Sequence, residues 1–292
     1  GQRRFDGPIV HPQRWPEDLD YTGKRVVVIG SGATAVTLVP AMSDRASSVT
    51  MLQRSPTYVM SLPARDPIAT RIRRLLPDKV AHRAVRTKNV VVNLGFYQFC
   101  QRFPSAAKRV LRTLTERRLR GRIPVDPHFS PRYDPWDQRL CVVPDGDLFK
   151  ALKRGTASIV TGRIKTFVEG GIELEDGTVL EADIIVTATG LNLQMFGGME
   201  LSRNGEAINL ADTIAYRGAM LSGIPNWALA IGYTNSSWTL KVDMLCQYFM
   251  RLLSHMDAHG YGAVEAVPQV VDAGRLPVCG EGEGVDGGFV GQ

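Results

Sequence analysis

The sequence predicts an α/β fold built on a parallel sheet with its ligand at the sheet's edge, and three observations predict it. Residues 24–29 (KRVVVI) are an unbroken apolar run between polar punctuation, as a strand buried on both faces requires. The turn Gly30-Ser31-Gly32-Ala33-Thr34-Ala35 follows at once and continues as an apolar helix to Met42. Residues 48–53 (SVTMLQ) are β-branched and apolar, a second strand. Strand, glycine turn, helix and strand in about thirty residues make a βαβ unit of the Rossmann type.

Each position of that turn has a physical reason. Gly30 permits the tight bend, Gly32 lets a pyrophosphate approach the backbone, and Ala35 lets helix and strand pack closely. The helix N-terminus then offers free N–H groups and the positive end of its dipole to phosphates. The plainer alternative is a tight βα turn with small residues for packing, and the flanking elements favour the dinucleotide. A site for NAD carries Asp or Glu at the end of the second strand, to accept bonds from the ribose 2′-OH. Here the strand ends Gln53-Arg54-Ser55. A carboxylate would repel a 2′-phosphate, whereas a guanidinium can grip one bidentately. Arg54, with the Ser55 hydroxyl beside it, therefore points to NADP(H); a solvated arginine at a strand end is the alternative.

The remaining elements follow in order. Residues 1–20, rich in Pro, Trp and His, read as an extended linker. Residues 65–122 read as helices, with Leu75-Leu76, Val90-Val91-Val92 and Leu111/Leu114 among arginines, divided by Pro67, Pro77, Pro104 and Pro124. Residues 125–140 read as loop. From Ser158 the pattern is β, with a hairpin signal at Asp176-Gly177 and a buried strand from Asp183 to Thr189. Residues 227–233 (WALAIGY) are strand-like. Leu240, Met244, Leu245, Tyr248, Leu252 and Met256 are spaced as one face of a helix. The tail from Gln269 is Gly-rich and reads as disordered.

Composition narrows the function. Apolar residues make up 44% and charged residues 22%, as in a globular protein. The net charge of +6 is local: residues 65–122 hold sixteen Lys and Arg against Asp66, Asp78 and Glu116. Three roles compete for that insert: capping a substrate channel, lying on an anionic membrane surface, or following nucleic acid phosphates. Its few aromatics (Phe96, Tyr97, Phe99, Phe103) do not alternate with arginines as a base-stacking strip would, so nucleic acid is not expected as a partner. Peripheral contact through 65–122 with the inner face of the cell membrane stays open for a protein otherwise read as cytoplasmic. Cys100, Cys141, Cys246 and Cys279 form no CxxC pair, and His82, His128, His255 and His259 form no ligand spacing. That argues against a metal site and against a dithiol flavin reductase.

Phe5-x-Gly7-x-x-x-His11-x-x-x-Trp15-Pro16 resembles the FxGxxxHxxxWP fingerprint of Baeyer–Villiger monooxygenases, placed directly before the βαβ unit. Asp183-Ile184 followed by Ala188-Thr189-Gly190 resembles the D(I/V)xxxATG strand motif of the same two-dinucleotide flavoproteins. The segments HPQRWPEDLDYTGKRVVVIGSGATAVTL, VDPHFSPRYDPWDQRLCVVPDGDLF and IGYTNSSWTLK are similar to the ethionamide-activating branch. The resemblance covers roughly residues 1–268. It implies a two-dinucleotide Rossmann-like fold with a fingerprint linker (1–20) and an NADP-binding domain (21–190) interrupted by a helical insert (65–125). The C-terminal part of an FAD-binding domain (191–268) and a disordered tail (269–292) would follow.

The resemblance also implies chemistry. NADPH reduces FAD, O₂ adds to give a C4a-peroxyflavin, and one oxygen atom enters a ketone or an organic sulfide; the cofactors carry the chemistry and the protein supplies position and charge. Arg139 matches the family's active-site arginine, the fixed cation that a developing anion needs; a structural pairing with Asp137 or Asp145 is the alternative. His11 is implied to tie the linker by hydrogen bonds, and Trp15 to pack beneath it. Ala188, Thr189 and Gly190 are implied to approach a cofactor with their backbone, and Asn235, in the loop 232–236, to close over the flavin. The family's first glycine turn, which holds the FAD pyrophosphate, has no counterpart set between a strand and a helix here. A fragment that binds NADP without stable flavin or activity is therefore the alternative reading.

Overall fold

Consecutive valines explain the core of the first unit. In the computed structural model, which describes residues 1–138, 140–192, 194–232, 238–268 and 289–291, the chain divides into two units, Gly1–Asn192 and Leu193–Gln292. The first holds strands β1 (Ile9–Val10) and β2 (Arg25–Ile29), helix α1 (Ala33–Met42), strands β3 (Ser48–Gln53) and β4 (Tyr58–Leu62), and helices α2 (Pro67–Leu75), α3 (Asp78–Arg102) and α4 (Pro104–Leu119). Strand β5 (Leu140–Pro144), helix α5 (Asp147–Arg154) and strands β6 (Ala157–Thr161), β7 (Ile164–Val168), β8 (Gly171–Leu174), β9 (Val179–Glu181) and β10 (Ile184–Thr187) complete it. The central sheet has the order β1-β10-β2-β3-β6, and every neighbouring pair is parallel.

Because side chains alternate across a strand, β2 feeds both faces of that sheet. Val26 and Val28 pack with Val36 and Val39 of α1 and Leu148 of α5, while Val27 packs with Phe5, Phe167 and Ile172. All three valines are at most 1% exposed, and full burial of such a side chain contributes about 1.5–3 kcal/mol. This is why the run reads as continuous rather than alternating.

An ion pair sets the register of the sheet's centre. Asp183, just before β10, accepts from the Arg25 backbone N–H (2.7 Å) and from its guanidinium (3.2 and 2.7 Å), and Glu181 takes the remaining Nη1 at 2.5 Å. The Arg25 guanidinium holds the Asp183 carboxyl down to about 2, well below its ordinary 3.8. A carboxyl depressed in the folded state contributes stability above its unfolded value that is lost as pH falls through the folded one. The aspartate of the sequence motif is thus a staple between β2 and β10.

The prolines of the insert act as expected: Pro67 and Pro104 open α2 and α4, and Pro77 caps α3. The Asp66 carboxylate accepts from the Ile68 and Ala69 N–H groups (2.9 and 3.0 Å) and also binds Lys88 of α3. Among the described residues, no helix is long and apolar enough to cross a membrane.

Several expectations need correction. Residues 1–20 are not only a linker: β1 is an edge strand on β10, with the Ile185 N–H donating to the Pro8 carbonyl at 3.1 Å. Two residues are too short to show a period. Leu140 opens β5 rather than ending a loop, and β5 pairs in parallel with β4, which no local pattern marks. Helix α5, between Gly146 and Gly155 in left-handed conformations, is a further element the sequence pattern does not announce. The apolar residues that mark the insert are largely exposed, Leu75 at 74% and Val91 at 62%, whereas Leu111 is buried. The hairpin at Asp176-Gly177 forms, with Glu175 also in its loop: the Leu174 N–H donates to Thr178, and Gly177 sits at φ +86°.

The second unit holds the short strands β11 (Ser202–Arg203), β12 (Glu206–Ala207), β13 (Ala215–Tyr216) and β14 (Met220–Leu221), then helix α6 (Trp238–His259) and strands β15 (Val264–Ala266) and β16 (Phe289–Gly291). Its core joins Met220, Leu245, Met256 and Val264. Met244, expected on the buried face of α6, is 53% exposed. Residues 227–232 form no strand; the Leu229 and Ile231 N–H groups donate to Ala219 and Gly218 at 2.8 and 3.3 Å, and the left-handed Gly218 turns the partner away. Within the region expected to be a disordered tail, β16 pairs antiparallel with β15; residues 269–288 lie outside the described residues.

Candidate dinucleotide site

The site begins where β2 stops. Gly30 turns at φ +139°, and its N–H donates to the Leu52 carbonyl at 2.8 Å. A side chain here would put its Cβ 2.3 Å from the Ala188 carbonyl oxygen, at the end of β10. Glycine is required because three strand ends meet at this point. Gly32 is the N-cap of α1 in extended geometry, and no side chain caps the helix. Its first intrahelical donor is Val36 N–H, to the Gly32 carbonyl at 3.1 Å. The N–H groups of Ala33, Thr34 and Ala35 therefore precede the helical ladder and are free to bind an anion.

Around this turn lies a cavity of about 590 Å³. Gly30, Ser31, Gly32, Arg54, Ser55, Ala188 and Thr189 line it, so seven residues expected at a cofactor meet at one place. Ser31 is buried, and its hydroxyl donates to the Ser55 carbonyl at 3.2 Å, tying the glycine turn to the chain that follows β3. Ala35 is fully buried against the sheet, the packing role its small side chain predicts. Ala33 and Thr34 stand in the exposed first turn of α1 and do not line the cavity with their side chains.

Gly190 does not line the cavity; its carbonyl accepts from His11 Nε2 at 3.3 Å. The Gln13 N–H donates to His11 Nδ1 at 3.3 Å, which leaves the proton on Nε2 to reach Gly190. His11 is thus a tie between the N-terminal segment and the end of β10. The other fingerprint residues build the same join. Phe5 is buried with Val27 and Ile185. A Cβ on Gly7 would lie 2.4 Å from the Asp183 carbonyl. Trp15 packs edge-on to Tyr21 at 6.5 Å, and Pro16 accepts the turn bond from Leu19 N–H at 3.3 Å. None of the five touches the cavity. Arg139 and Asn235 lie outside the described residues.

Sequence reasoning missed what holds Arg54 in place. Gln53 is 2% exposed. Its Nε2 donates to the His128 carbonyl (2.7 Å) and to Thr161 Oγ1 (2.9 Å), and Thr161 Oγ1 also meets His128 Nδ1 at 2.8 Å. Burial pushes the His128 ring below its ordinary value, which favours its neutral form. Sequence reasoning also missed Arg163, on the rim of the cavity; the polar Gln53 ending an apolar strand was the available signal. Among the described residues no cluster of His, Cys, Asp and Glu could hold a metal ion.

Comparison with known proteins matches this architecture. The chain is 52% identical over 266 residues to the FAD-containing monooxygenase EthA of Mycolicibacterium smegmatis, covering 91% of this chain and 54% of that protein. It therefore spans about half the length of this curated relative. An open crystal structure of cyclohexanone monooxygenase shares the fold at TM-score 0.65 and 20% identity, over 92% of this chain and 61% of the other. An oxidized steroid monooxygenase bound to NADP matches at TM-score 0.64 and 25% identity, over 92% and 60%. The sequence profile of the flavin-binding monooxygenase-like family matches residues 1–202. The chain belongs to the flavin-binding monooxygenase-like family.

Proposed function

We propose that this chain binds NADP(H) in the cavity at Gly30. The pyrophosphate would rest on the free N–H groups of Ala33, Thr34 and Ala35, and the adenosine 2′-phosphate on Arg54 and Ser55. One observation carries the reading: an uncapped helix N-terminus opens on the same cavity as a guanidinium that has no carboxylate partner among the described residues. The residues fit the group, since a phosphate diester needs unpaired N–H donors and a phosphate monoester needs a fixed cation. Arg54→Ala should raise the Kd for NADPH about 10- to 100-fold, the worth of a charge-assisted hydrogen bond, and leave NADH within about twofold. Equal losses for both cofactors would refute the 2′-phosphate role.

In the whole protein this half would position the hydride donor of a monooxygenase that uses NADPH, FAD and O₂ on a ketone or an organic sulfide. NADPH supplies a hydride when bound; the chain's part is to orient the dinucleotide and fix its charge. Arg139 is assigned to the reacting centre, where a fixed cation would meet developing negative charge. Thr189, Gly190 and Asn235 are assigned to the cofactor side. The cofactor-binding segment without stable flavin remains the second reading, and a purified chain that is colourless yet binds NADP⁺ tightly would favour it.

The exposed faces of α2 and α3 support a role for the insert as well. Ile68, Leu75, Val91 and Leu94 are all more than half exposed, among Arg71, Arg74, Lys79 and Arg83. We assign this surface to peripheral contact with an anionic bilayer. Co-sedimentation with phosphatidylglycerol vesicles, lost at high salt, is the expected result; no sedimentation at low salt would return the insert to capping a channel.

A further inference from the structure

The cavity at the glycine turn is not alone. A second depression of about 890 Å³ shares Arg54, Ser55 and Arg163 with it. The parallel register explains why two arginines line both depressions. Gln53, the last residue of β3, stands opposite Thr161, the last of β6, and the Gly162 N–H donates to the Gln53 carbonyl at 3.0 Å. Arg54 is thus one residue, and Arg163 two residues, past the ends of hydrogen-bonded neighbours. Both ends are held by the half-buried Gln53–Thr161–His128 network. The Arg163 carbonyl accepts from Glu175 N–H at 2.9 Å, which fixes its backbone from the other side.

Charge is the second observation. Some guanidiniums of this unit meet carboxylates, Arg25 with Asp183 and Glu181 and Arg112 with Asp126 and Glu116, and those carboxylates are not offered to the cavity. Among the described residues, neither Arg54 nor Arg163 has an ion-pair partner. Asp126, on the wall of the second depression, is already held by Arg112 at 2.7 Å and by Ser130. Glu175 is the acidic residue lining the first cavity; it partly offsets the two cations there. Arg54 and Arg163 line both depressions, with Arg132 on the second alone, and two guanidiniums free of ion-pair partners suit a dianionic phosphate monoester, whose three oxygens can accept from both forks.

We propose that Arg163 and Arg54 form a two-guanidinium clamp on the adenosine 2′-phosphate, so that Arg163 sets the preference for NADP(H) over NAD(H). The inference rests on the cavity being the NADP(H) site. In the clamp, Arg54 reaches from β3 and Arg163 from the β6–β7 connection, and the phosphate bridges two strand ends rather than hanging on one side chain. Arg163 is exposed, so its replacement removes charge without opening the core.

The test is titration calorimetry of the whole chain with NADP⁺, NAD⁺, adenosine 2′,5′-bisphosphate and 5′-AMP, on the wild type, Arg54→Ala, Arg163→Ala and Arg163→Lys. For Arg163→Ala, binding of the bisphosphate should weaken roughly 10- to 100-fold and that of 5′-AMP by less than about twofold. Arg163→Lys should recover part of the loss, because a point charge replaces a fork. Equal weakening of both probes, or none, by Arg163→Ala would overturn the clamp, even if Arg54→Ala still discriminates between them. A wild type that binds NADP⁺ and NAD⁺ alike would sink the NADP(H) reading itself, a different failure.

Discussion

Gly30→Ala tests how the glycine turn is built. The residue sits at φ +139°, where an L side chain is strained, and its new Cβ would lie 2.3 Å from the Ala188 oxygen and 3.0 Å from the Ala188 carbon. The backbone strain costs about 1–2 kcal/mol. To reach an ordinary contact the carbonyl must retreat by about 1 Å, and a densely packed interior resists such a shift. Ala188 follows β10 directly, and β10 is paired with β2 up to Thr187↔Ile29. The retreat therefore pulls on the last sheet hydrogen bond, worth about 1 kcal/mol. Together these effects cost about 2–4 kcal/mol. Urea denaturation should show the midpoint falling by about 1 M for a slope of about 2–3 kcal/mol per M. NADP⁺ affinity should fall at least about tenfold, because the helix N-terminus moves with the turn. An alanine variant with wild-type midpoint and affinity would show that three strand ends do not converge at Gly30.

Gly95 supplies the opposite case. It lies exposed in the interior of α3, where an added Cβ would meet nothing within 4 Å and φ is not unusual; Gly95→Ala should stabilise the protein by about 0.5–1 kcal/mol in the same urea titration, and a loss of stability would refute the helical assignment. His128 supplies a pH dependence. Its folded value lies below its ordinary 6.5 because of burial, so the folded state binds fewer protons than the unfolded chain. The stability this neutral ring supports is complete above about 6.5 and falls as pH drops through the folded value, with a slope of at most about 1.4 kcal/mol per pH unit. Thermal unfolding between about pH 5 and pH 7 should show this component in the wild type and not in His128→Gln; identical profiles would contradict it.

Local chemistry was legible wherever it was written in adjacent residues. The strand–glycine–helix order placed Gly30, Gly32 and Ala35 correctly, and the prolines placed the breaks of the insert. The basic Arg54 after β3 stands at the cavity as expected. What escaped depends on distant residues. The pairing of Tyr58 with Leu140 spans the whole insert, and no window of ten or twenty residues contains both partners. Arg163 looks like the start of a strand until the order β3-β6 puts it beside Arg54. The fingerprint is readable as a pattern, yet its structural work is a join: Phe5 in the core, Gly7 against Asp183, and His11 on Gly190. Spacing alone does not distinguish a join from a catalytic set. The apolar residues of α2 and α3 mark helices without saying which side is covered, and most face outward on an insert that packs through Ala81, Val85 and Leu111 instead.

The central claim is that this cradle selects a dinucleotide by its extra phosphate, and calorimetry of the folded chain with NADP⁺ and NAD⁺ at two salt concentrations tests it most directly. The expected result is saturable heat for NADP⁺ at one site, affinity for NAD⁺ at least about tenfold weaker, and a preference that narrows as salt screens the arginines. A folded sample that takes up neither dinucleotide, or holds both equally at low salt, would contradict it.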